Sequence, residues 1–249
     1  MSYQFGKKTK LTDPRTLQIR KYLDFTALPP LPTQSANLSR VYGALGTSDP
    51  SVVFPMDGND TVGDCTIAAL AHLVTMINAF MGRKVIPTQQ QCLDLYFQLT
   101  GGDDTGLDLL TVMNYVRQNG FFGEQPIVAF AEMNLKNKWE FRQVLALFGF
   151  AYIGFVVPRK CITQFDAGGP WTPGPLTADG HCVVAADYDL ATGLMSVETW
   201  GAVIGATWPW ESECLDEAYV LLPSEALRPG YMPGFNSELL LDDLKLVTQ

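Results

Sequence analysis

Val62-Gly63-Asp64-Cys65-Thr66-Ile67-Ala68-Ala69-Leu70-Ala71 is the stretch on which the reading of this 249-residue chain depends. Asp64 is a good N-cap residue type, and Ile67, Leu70, Ala71, Val74, Ile77 and Met81 recur at spacings of three and four before Gly82. That pattern predicts a helix with Cys65 in its first turn. Unpaired backbone N–H groups and the positive end of the helix dipole favour a thiolate at such a position. Far downstream stand Asp179-Gly180-His181 and Glu198-Thr199-Trp200-Gly201. A histidine brought beside Cys65 completes a nucleophile and its base. The other histidine, His72, is seven residues after Cys65, about 10 Å along the same helix and too far for a hydrogen bond. It is read as structural.

Composition narrows the alternatives. With 47% hydrophobic and 17% charged residues the chain can bury a sizeable core, as one large domain or two small lobes. A net charge of −9 sets the overall field against nucleic acid, so no nucleic-acid partner is expected. The polar segment Met1 to Lys8 lacks the apolar run of a secretory signal, and no segment approaches 18 uninterrupted apolar residues. The expectation is a cytoplasmic protein without a membrane partner, or one incorporated in a virion or other particle. Five cysteines, at 65, 92, 161, 182 and 214, are odd in number and form no Cys-x-x-Cys pair, which argues against a disulfide scaffold and a zinc knuckle. Cys92, Cys161, Cys182 and Cys214 read as core residues. No metal and no cofactor is called for, and Gly101-Gly102-Asp103-Asp104 reads as a turn because it lacks the spaced oxygen ligands of a calcium loop.

Along the chain, residues 1–50 carry Lys7, Lys8, Lys10 and Leu28-Pro29-Pro30-Leu31-Pro32, with at most a short helix over 13–23. They read as an extended arm that lies on something. Further helices are predicted over 88–99, capped by Thr88, over 107–118, with a stripe of Leu109, Val112, Met113 and Val116, and over 140–148. Strands are predicted over 151–157, 182–187, 195–199 and 218–222, with turns over 189–193 and around Pro209. The chain therefore divides into a helical half, about 51–149, and a strand-rich half, about 150–223. Residues 224–249 form a tail expected to dock through Leu239, Leu240, Leu241 and Leu244.

These pieces resemble, in order, those of the papain-like cysteine peptidases over residues 55–223. Asn59 to Cys65 is similar to the family's glutamine-to-cysteine segment, with Gly63 and Cys65 in place. Residues 106–120 resemble its interior helix and turn, Gly180-His181-Cys182-Val183-Val184 the strand presenting the base, Glu198-Thr199-Trp200-Gly201 the Asn-Ser-Trp-Gly element, and 218–223 the closing strand. The resemblance is to a divergent member, of bacterial or phage type, or to a pseudo-peptidase. It implies an α+β, two-lobed fold with a helical N-terminal lobe and an antiparallel, strand-rich C-terminal lobe. It also implies Cys65 as nucleophile, His181 as general base and acid, Asn59 as side-chain oxyanion donor and Glu198 as the group that orients His181. Gly63, Asp64, Gly180 and Trp200 would line the substrate cleft.

Two positions depart from the family pattern. Asn59 replaces glutamine, so its amide reaches one methylene less far. Glu198 replaces asparagine; a carboxylate can orient an imidazole but also raises its pKa. Asp57, Asp60 and Asp64 stand within eight residues of the thiol and disfavour thiolate. Two functions follow. One is a thiol hydrolase, a peptidase whose partner is a peptide or protein substrate, or a related amidase or acyl transferase that would use the same residues. The alternative is a catalytically weak or inactive papain-like fold serving as a structural or assembly protein, a homo-oligomer or virion component held through its arm and tail. The arm also suits a built-in prosegment draped over the cleft.

Overall fold

Every residue from Cys65 to Ala79 is buried in the computed structural model, which describes residues 3–121 and 127–247. A helix that is apolar all round belongs in the interior, not on the surface. It is the third of nine helices among the described residues. α1 (Asn37–Leu45) and α2 (Pro50–Val53) precede α3 (Cys65–Phe80), and α4 (Gln89–Thr100) and α5 (Leu109–Asn119) pack around it. Local signals set their ends. Thr88 and Gln91 form a reciprocal capping box on α4, and the Asp108 carboxylate caps α5 by accepting the Thr111 N–H. Asp64 precedes α3 without a side-chain capping bond.

α3 lies on a seven-stranded sheet. Its strands are β1 (Leu17–Gln18), β2 (Ala129–Glu132), β3 (Ala151–Pro158), β4 (Leu176–Asp189), β5 (Leu194–Thr199), β6 (Ala202–Thr207) and β7 (Leu215–Leu222). They are ordered β1-β2-β7-β3-β4-β5-β6, and every pair is antiparallel except β1 with β2. Successive side chains of a strand point to opposite faces. On β4, Cys182, Val184 and Ala186 pack with the α3 cluster, while Val183 and Ala185 join the core on the other face. That second core is covered by α6 (Lys138–Phe148), α7 (Cys161–Asp166), α8 (Trp208–Cys214) and α9 (Ser237–Val247). The buried Tyr152 hydroxyl of β3 donates to Thr66 O at 2.6 Å and fixes the start of α3 on the sheet.

The helical first half and strand-rich second half agree with the α+β, two-lobed expectation. Five details differ. The arm is not extended throughout, because α1 forms within it and Leu38 and Val41 are buried against α3. Residues 13–23 give β1 and a four-residue 3-10 turn rather than a helix. β2 lies in the first half of the chain yet pairs with β7, so a boundary at 149/150 cuts the sheet. Pro209 does not make a turn; it occupies the first turn of α8, where its missing N–H costs no bond. In the tail Leu240 is buried and Leu239 and Leu244 pack on the core, but Leu241 is exposed.

Candidate active site

Cys65 opens α3, and His181 lies on β4 of the opposing sheet; both line one cavity of about 10 Å³ with Asn59, His72, Cys182, Glu198, Thr199 and Trp200. The volume is about that of one water. His181 Nε2 lies 2.9 Å from Thr199 Oγ1, and its Nδ1 has no hydrogen-bond partner among the described residues. The ring stacks on Trp200 at 4.6 Å and meets Phe155 edge-on at 5.6 Å. Trp200 itself has φ 49°, unusual for a bulky residue, and its Nε1 donates to Asn59 Oδ1 at 2.8 Å. The indole therefore links the Cys65 loop to the histidine.

Two sequence-predicted residues behave differently from expectation. Glu198 makes no hydrogen bond to His181, and neither of its carboxyl oxygens has a hydrogen-bond partner among the described residues. Strand alternation explains this. Val197 packs in the second core, so Thr199 shares the His181 face, whereas Glu198 points toward α3. Burial, with Asp187 nearby, raises the Glu198 pKa well above the carboxylate range and so favours the neutral carboxyl over the charged form expected of an orienter. Asn59 Nδ2 donates to Val62 O at 3.2 Å and favours the ionised form of Asp64, so this amide is already engaged.

A residue read only as part of a turn does structural work here. Asp104 Oδ1 accepts from Gly63 N at 2.9 Å and from the Tyr96 hydroxyl, which in turn accepts the Gly106 N–H at 2.9 Å. Asp104 thus joins the loop before Cys65 to the loop before α5. No sequence spacing distinguishes it from a solvated aspartate.

The groove beside Cys65 is filled by residues 4–8. Gln4 N donates to Asn59 O (2.9 Å), Lys7 N to Gly180 O (3.1 Å), Leu107 N to Gly6 O (2.9 Å) and Lys8 N to Leu107 O (2.9 Å). Tyr3 stacks on Trp200 at 4.6 Å, and Phe5 meets His181 edge-on at 5.6 Å. Glycines make the fit. A Cβ on Gly6 would stand 1.6 Å from Gly63 O, one on Gly106 2.1 Å from Gly6 O, and one on Gly180 2.5 Å from Lys7 O. Gly63 and Gly180, expected in a cleft, are therefore its backbone walls.

Burial dominates the electrostatics. It pushes the Cys65 thiol up to about 11; the Gly6 and Cys182 N–H groups pull it down, Asp64 pushes it up and Lys7 lowers it. Burial lowers His181 to about 3. Asp64 is raised to about 8, first by burial and then by Asp57, so much of it is neutral at pH 7. Asp60 is exposed. With the groove filled, Cys65 and His181 are a neutral thiol and a neutral imidazole. His72 Nε2 lies 3.0 Å from Pro55 O and 3.4 Å from Asp57 Oδ2, consistent with a structural residue. All five cysteines are buried and unpaired, and no cluster of three or more His, Cys, Asp or Glu side chains suited to a metal occurs among the described residues. Among them, too, no helix is long and apolar enough to cross a membrane.

No protein-family model matches this chain, and no curated protein matches it in sequence. Its structure is similar to that of xylellain, a cysteine protease from Xylella fastidiosa, with a TM-score of 0.64 at 14% identity over 89% of this chain and 97% of the other. Procathepsin B S9 from Trypanosoma congolense gives 0.59 at 12% identity over 88% and 86%. The Carica candamarcensis cysteine protease CMS1MS2 gives 0.50 at 17% identity over 65% and 89%. The chain has the papain-like fold.

Proposed function

We propose that this protein is a thiol hydrolase, a peptidase, held latent by its own residues 3–8. The observation that carries the reading is the extended segment 4–8, hydrogen-bonded to both walls of a glycine-lined slot beside Cys65 and His181. A slot that binds backbone in this way suits a peptide substrate. The names of the similar folds, two cysteine proteases and a procathepsin B, agree with it.

In this reading the arm leaves and water and substrate enter. Thr199 holds Nε2 of His181, so Nδ1 is the nitrogen that takes the Cys65 proton. The thiolate sulfur attacks the amide carbonyl, forming a C–S bond. The oxyanion rests on the Cys65 N–H, with Asn59 Nδ2 as the second donor once it turns from Val62 O. The C–N bond then breaks as His181 returns its proton to the amine. Water, deprotonated by His181, attacks the thioester; the C–S bond breaks and the thiol is restored.

Gly6→Val tests this in the full chain, because its side chain would collide with Gly63 O and expel the arm. Expected are faster alkylation of Cys65 than of Cys92 and peptide hydrolysis that Cys65→Ala abolishes. A folded Gly6→Val protein with an unreactive Cys65 and no turnover overturns the reading. One observation favours a second reading, an unused site in an assembly protein: the dyad is neutral, buried and covered by an integral part of the chain. Light scattering decides there, since a strictly monomeric protein removes the assembly role.

A further inference from the structure

Lys7 departs from the rest of the arm because its side chain leaves the groove and runs into the protein. Nζ lies 2.8 Å from Asp216 Oδ2 and 3.0 Å from Glu217 Oε1, with the Lys7 side chain 2% exposed and that of Glu217 fully buried. The second Glu217 oxygen accepts the Tyr219 hydroxyl at 3.1 Å, which fixes the carboxylate in place. Nζ also donates to Lys8 O at 3.3 Å. The passage exists because position 154 of β3 is glycine: a Cβ there would stand 2.2 Å from Lys7 Cε and 2.8 Å from Glu217 Cγ. At its mouth the Lys7 N–H bonds Gly180 O, next to His181.

The two ends of this passage select differently. The backbone bonds at the mouth are available to any extended peptide and carry no side-chain preference. The floor does discriminate, because a buried carboxylate left without a cation bears its full desolvation cost. A neutral side chain of the same length leaves Glu217 in that condition, and an acidic one adds repulsion. The passage is narrow at Gly154 and ends on two carboxylates, which suits a methylene chain with a compact ammonium better than a planar guanidinium fork.

We propose that this carboxylate-floored passage is a side-chain specificity pocket of the cleft, selecting lysine in a peptide that takes the place of residues 3–8. Glu217 and Asp216 set the charge preference, and Gly154 admits the chain. The inference rests on the reading of the groove as a peptide-binding hydrolase site.

The test uses the full chain carrying Gly6→Val and Lys7→Ala, so that its own arm does not compete. Fluorescence anisotropy measures binding of a labelled peptide with the sequence of residues 3–8, Tyr-Gln-Phe-Gly-Lys-Lys, and of versions with arginine or norleucine at the first lysine. The lysine peptide is expected to bind about 10- to 100-fold tighter than the norleucine peptide, the scale of a hydrogen-bonded buried charge, with arginine between. Adding Glu217→Gln should erase most of that ratio, and Gly154→Ala should weaken the lysine peptide by blocking the passage. Equal affinity for the lysine and norleucine peptides, no binding of either, or a ratio that survives both variants overturns the pocket. Binding is read without turnover. Selective binding without hydrolysis therefore sinks the hydrolase reading alone, while hydrolysis without lysine preference sinks the pocket alone.

Discussion

His181 Nε2 lies 2.9 Å from the hydroxyl of Thr199, while the neighbouring Glu198 carboxyl is buried without a hydrogen-bond partner among the described residues. One step along β5 separates a residue on the imidazole face from one beneath α3. The hydroxyl fixes the ring and leaves Nδ1 free.

Thr199→Val should therefore lower kcat/KM of the arm-expelled Gly6→Val protein by about 5- to 100-fold, the worth of one buried orienting bond. Glu198→Gln should cost less, because burial already keeps that carboxyl protonated. Steady-state kinetics on both variants checks the order; a larger loss from Glu198→Gln restores the carboxylate to the role that Thr199 holds here.

The covering arm should also be visible in a pH profile. In the intact protein, alkylation of Cys65 should have its midpoint near the raised value of about 11. Gly6→Val removes the main cause by admitting water, although it also removes the Gly6 N–H that favours thiolate. The desolvation effect is the larger, so the midpoint should fall. Mass spectrometry of the Cys65 peptide after timed alkylation measures it, and an unchanged or higher midpoint contradicts the assignment.

His181 should make stability depend on pH. Its folded value is lowered to about 3 from 6.5, so the unfolded state takes up the proton first as pH falls. The contribution of the neutral ring is complete above pH 6.5 and declines by about 1.4 kcal/mol per pH unit below it, down to about pH 3. Asp64, raised to about 8, acts in the opposite direction over part of this window, so the comparison must be with a variant. Urea unfolding between pH 7 and 4 should show a shallower loss for His181→Phe than for the unaltered chain.

Asp104→Ala should destabilise the protein by about 1–3 kcal/mol, because it leaves the buried Gly63 N–H and the Tyr96 hydroxyl without their shared acceptor. It should also raise Cys65 reactivity, since Gly63 and Gly106 form the slot walls that Asp104 joins. Thermal melts and alkylation rates test the two effects together; loss of stability without a change in reactivity argues that the slot is held by other contacts.

The amino-acid sequence by itself determined the local elements and their order. The apolar run after Asp64 gave the buried helix with Cys65 at its start, Thr88 capped the next one, and the β-branched and aromatic runs after residue 150 became strands of the sheet. These features are legible because periodicity and capping act within a few residues. Only the tertiary structure decided which chain atoms meet at Cys65. Thr199 rather than Glu198 faces His181 because of strand alternation, Asp104 joins two loops 41 residues apart, and Gly6 and Lys7 occupy the cleft because Gly63, Gly106 and Gly180, from distant segments, leave room for backbone. Such contacts depend on how separate elements pack, and no local pattern encodes them. Burial also settled the charge state. The helix terminus favours a thiolate at Cys65, and desolvation by burial outweighs that preference.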